Sequence, residues 1–156
     1  MHAAMSDIGA LLAARYASAG VDVTAAGSGD ATEVDGAWID RRNYTSMKAV
    51  IVYTTTLQSG ETLSVAANLQ DASDSSGTGA ADFGDALTST VQATGESGGS
   101  TETGVVELDF DLSAADRYVR LQFTPDLSAS GTDTAELAAV YIIGGSNENP
   151  VTSTAV

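Results

Sequence analysis

The feature that most limits what this chain can fold into is a strict alternation of apolar and polar residues. In residues 104–112 (GVVELDFDL), Val106, Leu108, Phe110 and Leu112 fall on one side and Glu107, Asp109 and Asp111 on the other. Successive strand side chains point to opposite faces, so a period of two marks a strand with one buried face. Residues 117–125 (RYVRLQFTP) repeat the pattern with Val119, Leu121 and Phe123 set against Tyr118, Arg120 and Gln122. Residues 61–69 repeat it again with Leu63, Val65, Ala67 and Leu69.

Two further segments are apolar on both sides. The first half of 49–57 (AVIVYTTTL) and nearly all of 135–143 (AELAAVYII) lack a clean polar face. They read as strands that are central in a sheet or covered on both faces. A short strand is expected at 34–40 (VDGAWID) and weaker ones within 83–93, while Gln58-Ser59-Gly60 predicts a hairpin turn over 58–61. With about eight strands and no helical period after residue 20, the expected fold is all-β, an antiparallel two-sheet jelly-roll sandwich over 21–145. Its expected core holds Trp38, Ile51, Leu63, Val65, Leu108, Phe110, Leu121, Phe123 and Tyr141. Ile8, Leu11, Leu12 and Tyr16 recur at helical spacing between Ser6 and Gly20, so 1–20 is expected as an N-terminal arm or short helix. Residues 146–156 are expected as a polar C-terminal tail.

Composition narrows the chemistry. The 156 residues include 21 acidic and 6 basic side chains, one histidine (His2) and no cysteine, for a formal charge of −15. Phosphate-bearing partners would be repelled, which argues against nucleic acid and against anionic membranes. Disulfides, thiolate metal sites and cysteine nucleophiles are excluded, and a single terminal histidine leaves little for imidazole chemistry. No P-loop, dinucleotide fingerprint or G-x-S-x-G elbow is present. No apolar run approaches the ~20 residues of a membrane helix, and Asp7 stands where a secretory leader would carry basic residues, so the chain reads as soluble.

Three groups of residues could still carry a function. The carboxylates Glu107, Asp109 and Asp111 share one strand face, as the paired acids of a glycosidase would, and the string resembles the acidic E-x-D-x-E strand of jelly-roll glucanases with Asp111 in the last place. The simpler reading is a solvated face neutralised by Arg120 across a hairpin between 104–112 and 117–125. Asp71, Asp74 and Asp82, and Asp109, Asp111 and Asp116, surround two turns and could offer oxygen ligands to Ca²⁺, though neither spacing is that of an EF-hand. Arg41, Arg42 and Lys48 are half of all basic residues within eight positions, while the stretch from Ala49 through Asp116 holds eleven acidic and no basic residues. These three could dock an acidic partner surface, or simply neutralise neighbours such as Asp40. Asn43-Tyr44-Thr45 matches the glycosylation sequon by chance in this reading.

Taken together, the strand Asp35-Gly36-Ala37-Trp38-Ile39-Asp40, the segment Ala67-Asn68-Leu69-Gln70-Asp71-Ala72-Ser73-Asp74, the strand Asp116-Arg117-Tyr118-Val119-Arg120-Leu121-Gln122-Phe123 and the closing Ala138-Ala139-Val140-Tyr141-Ile142-Ile143-Gly144-Gly145 resemble the jelly-roll cement, or head-decoration, proteins of tailed bacteriophages. The resemblance spans roughly residues 34–145. It implies a non-enzymatic protein without cofactors, bound to the exterior of a phage head and assembled in the host cytoplasm. Its implied partners are the major capsid protein, whose subunits it would bridge, and further copies of itself as a dimer or trimer. Ile8, Leu11 and Leu12 are then expected to be buried against another chain rather than in their own core. A carbohydrate-binding or adhesive β-sandwich is the alternative, and it would need exposed aromatics of the Trp38 kind.

Overall fold

The alternating segments pair into two antiparallel sheets in the computed structural model, which describes residues 8–128 and 131–147. A 3₁₀ turn, Ile8–Leu11, leads into nine strands: β1 (Ala13–Thr24), β2 (Val34–Asp35), β3 (Ile39–Asp40), β4 (Ser46–Leu57), β5 (Thr62–Ala72), β6 (Ala81–Thr94), β7 (Ser100–Asp111), β8 (Tyr118–Leu127) and β9 (Thr134–Gly144). Sheet I has the order β1-β9-β4-β7 and sheet II the order β2-β8-β5-β6, with β3 also on β8. β2 and β3 are two parts of one strand position along β8, where Val34 faces Phe123 and Ile39 faces Val119. The chain changes sheet at most connections and the two sheets close over one core, which is the jelly-roll arrangement.

The core is built from the inward half of each alternation. Met47, Ala49, Ile51 and Leu57 of β4 meet Leu63, Val65 and Leu69 of β5, Val106, Leu108 and Phe110 of β7, Leu121 and Phe123 of β8, and Leu137, Tyr141 and Ile143 of β9. Eight of the nine expected core residues are buried here. Trp38 is the exception: it is half-buried at the surface of sheet II, because it lies in the interruption between β2 and β3 rather than on an inward strand position.

A polar staple joins the sheets. The buried Tyr141 hydroxyl of β9 accepts a hydrogen bond from the Leu121 backbone N–H at 2.8 Å and donates to the Ala37 carbonyl at 3.1 Å. Burial pushes the phenol up to about 12. Gly36 makes the approach possible: its N–H donates to the Leu121 carbonyl at 2.8 Å, and a Cβ there would stand 2.6 Å from the Tyr141 hydroxyl.

Two local expectations are corrected. From residue 13 onward, the stretch expected as an arm or helix is β1, an edge strand of sheet I. Its alternation is hidden by register shifts between Tyr16 and Ser18 and between Ser18 and Val21, which turn both Ala17 and Ser18 inward. Residues 58–61 do reverse the chain, but β4 lies in sheet I and β5 in sheet II, so the turn crosses between sheets instead of closing a hairpin. The hairpin within one sheet is β5–β6, whose turn is fastened by Asp74. Its carboxylate accepts hydrogen bonds from the Ser76 N–H and hydroxyl and from the Thr78 N–H, which holds it below the usual carboxylate range. Residues 1–7 of the expected arm and 148–156 of the expected tail lie outside the described residues.

Candidate functional site

The outer faces of the two sheets differ in kind, and the register shows how. On sheet II, Gln70 of β5 faces Arg120 of β8, Asn68 faces Gln122, and Gln122 faces Asp35 of β2. The Arg120 guanidinium pairs with Asp35 at 2.9 Å and donates to Gln70 Oε1 at 2.9 and 3.1 Å. It also lies 4.7 Å from the centroid of the Trp38 ring. Gln122 Nε2 donates to Glu33 and Asp35, each at 2.7 Å, and Gln122 Oε1 accepts from Asn68, which also donates to Asp82. Gly77, at φ +83°, brings the β5–β6 turn against the indole, where a Cβ would stand 3.1 Å from the ring. Trp38 is thus taken up by contacts within the chain.

On sheet I the outward positions form rows across the strands. At one end Thr101, Thr56, Thr134 and Thr24 make a hydroxyl row, followed by Thr103, Thr54, Glu136 and Asp22. The middle rows are Val105, Val52 and Ala138, then Glu107, Val50, Val140 and Tyr16, then Asp109, Lys48, Ile142 and Ala14. Leu12 continues the field past the end of β1, packed over Gly144, where a Cβ would stand 2.8 Å from its Cδ2. Seven large apolar side chains are exposed among the described residues, and five belong to this surface: Tyr16 at 62%, Val105 at 56%, Val52 at 46%, Val140 at 44% and Leu12 at 37%. Two shallow depressions on the same face share Thr54 and Glu136 as lining. Five exposed large apolar side chains thus share one sheet face.

The sequence-predicted residues fall as follows. Leu12 is on the apolar face, while Ile8 and Leu11 lie in the 3₁₀ turn before it, Ile8 exposed and Leu11 half-buried. The three basic residues have separate partners. Arg41 donates to the backbone carbonyls of Asp116, at 2.9 Å, and Ala115. Arg42 pairs with Asp40 at 3.3 Å. Lys48 sits on the outer face of sheet I, 2.8 Å from Asp109 and 3.4 Å from Glu107. The hydrogen bond that the ammonium donates to Asp109, with the charges of both carboxylates, holds it above its usual range against partial desolvation.

The acidic stripe is therefore partnered, but not as expected. β7 pairs with β4 and β8 with β5, so Arg120 is in the other sheet and its carboxylate is Asp35. Glu107 and Asp109 take Lys48 instead, and both stand exposed on an open sheet face. Asp111 accepts from the Ser113 N–H, which lowers its carboxyl below the usual range. Asp71 accepts from the Asp116 N–H across the two loops. No group of three or more acidic, histidine or cysteine side chains is placed to hold a metal among the described residues.

No protein-family model matches this chain, and no curated protein matches it. Among solved structures it is similar to a chain of infectious bursal disease virus, Gx strain, with a TM-score of 0.44 and 13% identity over 89% of this chain. The Gt strain gives a TM-score of 0.43 and 12% identity over the same share. This chain spans about a third of the length of those chains, 33% and 34% respectively.

Proposed function

We propose that this protein is a non-enzymatic structural component of a virus particle, docked on the outside of the capsid and bridging its major subunits. The observation that carries the reading is the open apolar face of sheet I: a broad field of exposed apolar side chains on one sheet is suited to holding another protein surface. The jelly-roll sheet order and the sequence resemblance to phage head-decoration proteins support the same reading. A ligand that binds only the assembled shell stabilises that shell by mass action, so such a protein needs affinity and no chemistry. The carbohydrate-binding alternative is weakened by Trp38, which is occupied by Arg120 and the Gly77 turn instead of standing free to stack on a sugar.

The test is binding of the purified chain to shells of the source virus emptied of nucleic acid, followed by thermal disruption of the shells. Saturable binding and a raised disruption temperature are expected. Absence of binding to shells, together with specific retention on a glycan array, would overturn the reading in favour of the sugar-binding one.

A further inference from the structure

The apolar face of sheet I can be asked what covers it. β4 and β9, the two strands whose sequences carry apolar residues on both sides, are the two central strands of that sheet. Their second faces, Val50 and Val52 in β4 and Val140 and Ile142 in β9, are uncovered or half-covered within the chain. The sequence is written for a strand covered on both sides, and the described chain covers only one. A partner surface completes the pattern.

The charges around the field select the partner. Asp22 and Glu136 stand at one end of the face, and Glu107, Asp109 and Asp111 run along β7 at its side; Lys48 is the sole cation among these outward positions. Two copies of the chain laid face to face would bring two such acidic rims together, and each chain already carries −15. Like charges juxtaposed at an interface oppose association, and a rim of opposite sign favours it. Resting on the capsid-docking reading above, we infer that sheet I docks through its outer face onto a different protein, whose contact patch is apolar at its centre and ringed by Lys or Arg. The polar face of sheet II, with its Arg120 network internally satisfied, is left toward solvent.

Three variants and the same emptied shells test this. Val52→Thr with Val140→Thr keeps β-branched side chains and removes apolar contact. Asp22→Lys with Glu136→Lys reverses one end of the rim, and Asp126→Lys reverses an exposed charge on sheet II. The valine pair should weaken binding by about tenfold or more, the loss expected when apolar contacts at an interface centre are removed. The rim pair should weaken it by about tenfold at low salt and flatten its salt dependence. Asp126→Lys should change it by less than about twofold, a rim-distant charge contributing little. Circular dichroism and sedimentation velocity on each variant establish that the fold is kept. If the native chain binds shells and both sheet I variants bind as well as it does, the assignment of this face is wrong and the capsid reading stands. If the valine pair instead splits a native oligomer while shell binding persists, the occupant is a second copy and the hetero-partner is wrong. Failure of the native chain to bind shells overturns both readings together.

Discussion

The outer faces of sheet I and sheet II are made by the same device, the outward half of a period-two alternation, yet they are finished differently. On sheet II the outward residues around Arg120 are amides and carboxylates that satisfy one another through Arg120, Gln70, Gln122, Asn68, Asp35 and Asp82, and the one large apolar side chain exposed on that sheet among the described residues is Val91 of the edge strand β6. On sheet I the outward residues of the central strands are valines and an isoleucine, and nothing among the described residues lies over Val52 or Val140 sufficiently to bury them. A face whose polar groups are paired is finished for water; a face of exposed β-branched residues is finished for another surface. The difference teaches that the burial pattern within the chain and the apolar pattern of its sequence need not agree, and that the places where they disagree are where association is to be sought.

The most damaging single change should be one that removes the join between the two faces. Tyr141→Phe deletes the hydroxyl that links β9 to Leu121 and Ala37, leaving the buried Leu121 N–H and the half-buried Ala37 carbonyl without that partner. A loss of about 1–3 kcal/mol is expected in denaturant unfolding, with both faces lost in one transition. The same tyrosine gives an alkaline signature. Its folded-state pKa is raised, so the stability it contributes is complete below its ordinary value near 10 and is lost as pH rises through about 12. Tyr141→Phe should remove that part of the alkaline loss.

A smaller effect is expected on sheet II. Arg120→Met, which keeps the length of the side chain, unpairs Asp35 and Gln70 and frees the indole of Trp38. The network is partly solvated, so about 1 kcal/mol of stability is expected to go, with a change in tryptophan fluorescence reporting the freed ring. On sheet I the contrast should appear as the reverse behaviour: Val52→Thr with Val140→Thr should move stability by no more than about 0.5 kcal/mol while impairing association, because those side chains are exposed in the isolated chain. The smallest effect belongs to Lys48→Met. Its ion pairs with Glu107 and Asp109 are open to solvent and salt, and no shift of the unfolding midpoint is expected at physiological ionic strength.

Much of this architecture is legible in the sequence. The inward residues of β5, β7 and β8 and the special character of β4 and β9 follow directly from their periodicity, because parity along a strand decides the face. What parity cannot give is the identity of the neighbouring strand. The sequence puts Arg120 opposite the acids of β7 because the two segments are consecutive, but β7 and β8 go to different sheets, and its neighbours are Gln70 and Asp35. For the same reason the turn at 58–61 reads as a hairpin although it crosses the sandwich. β1 is obscured by its bulge, which spoils both the period and the contrast in a segment rich in alanine. In the sequence Leu12 and Tyr16 read as one side of a helical arm and Val52, Val105 and Val140 as strand residues; seeing them as one field needs the register of four strands from distant parts of the chain.

The central claim is that sheet I, and not sheet II, meets the partner, and hydroxyl-radical footprinting of the chain free and bound to emptied shells tests it most directly. Tyr16 and Trp38 are the natural reporters, one on each face. Binding is expected to protect Tyr16, with Leu12 and the valines beside it, and to leave the reactivity of Trp38 unchanged. Protection of Trp38 with Tyr16 still fully reactive would contradict the account.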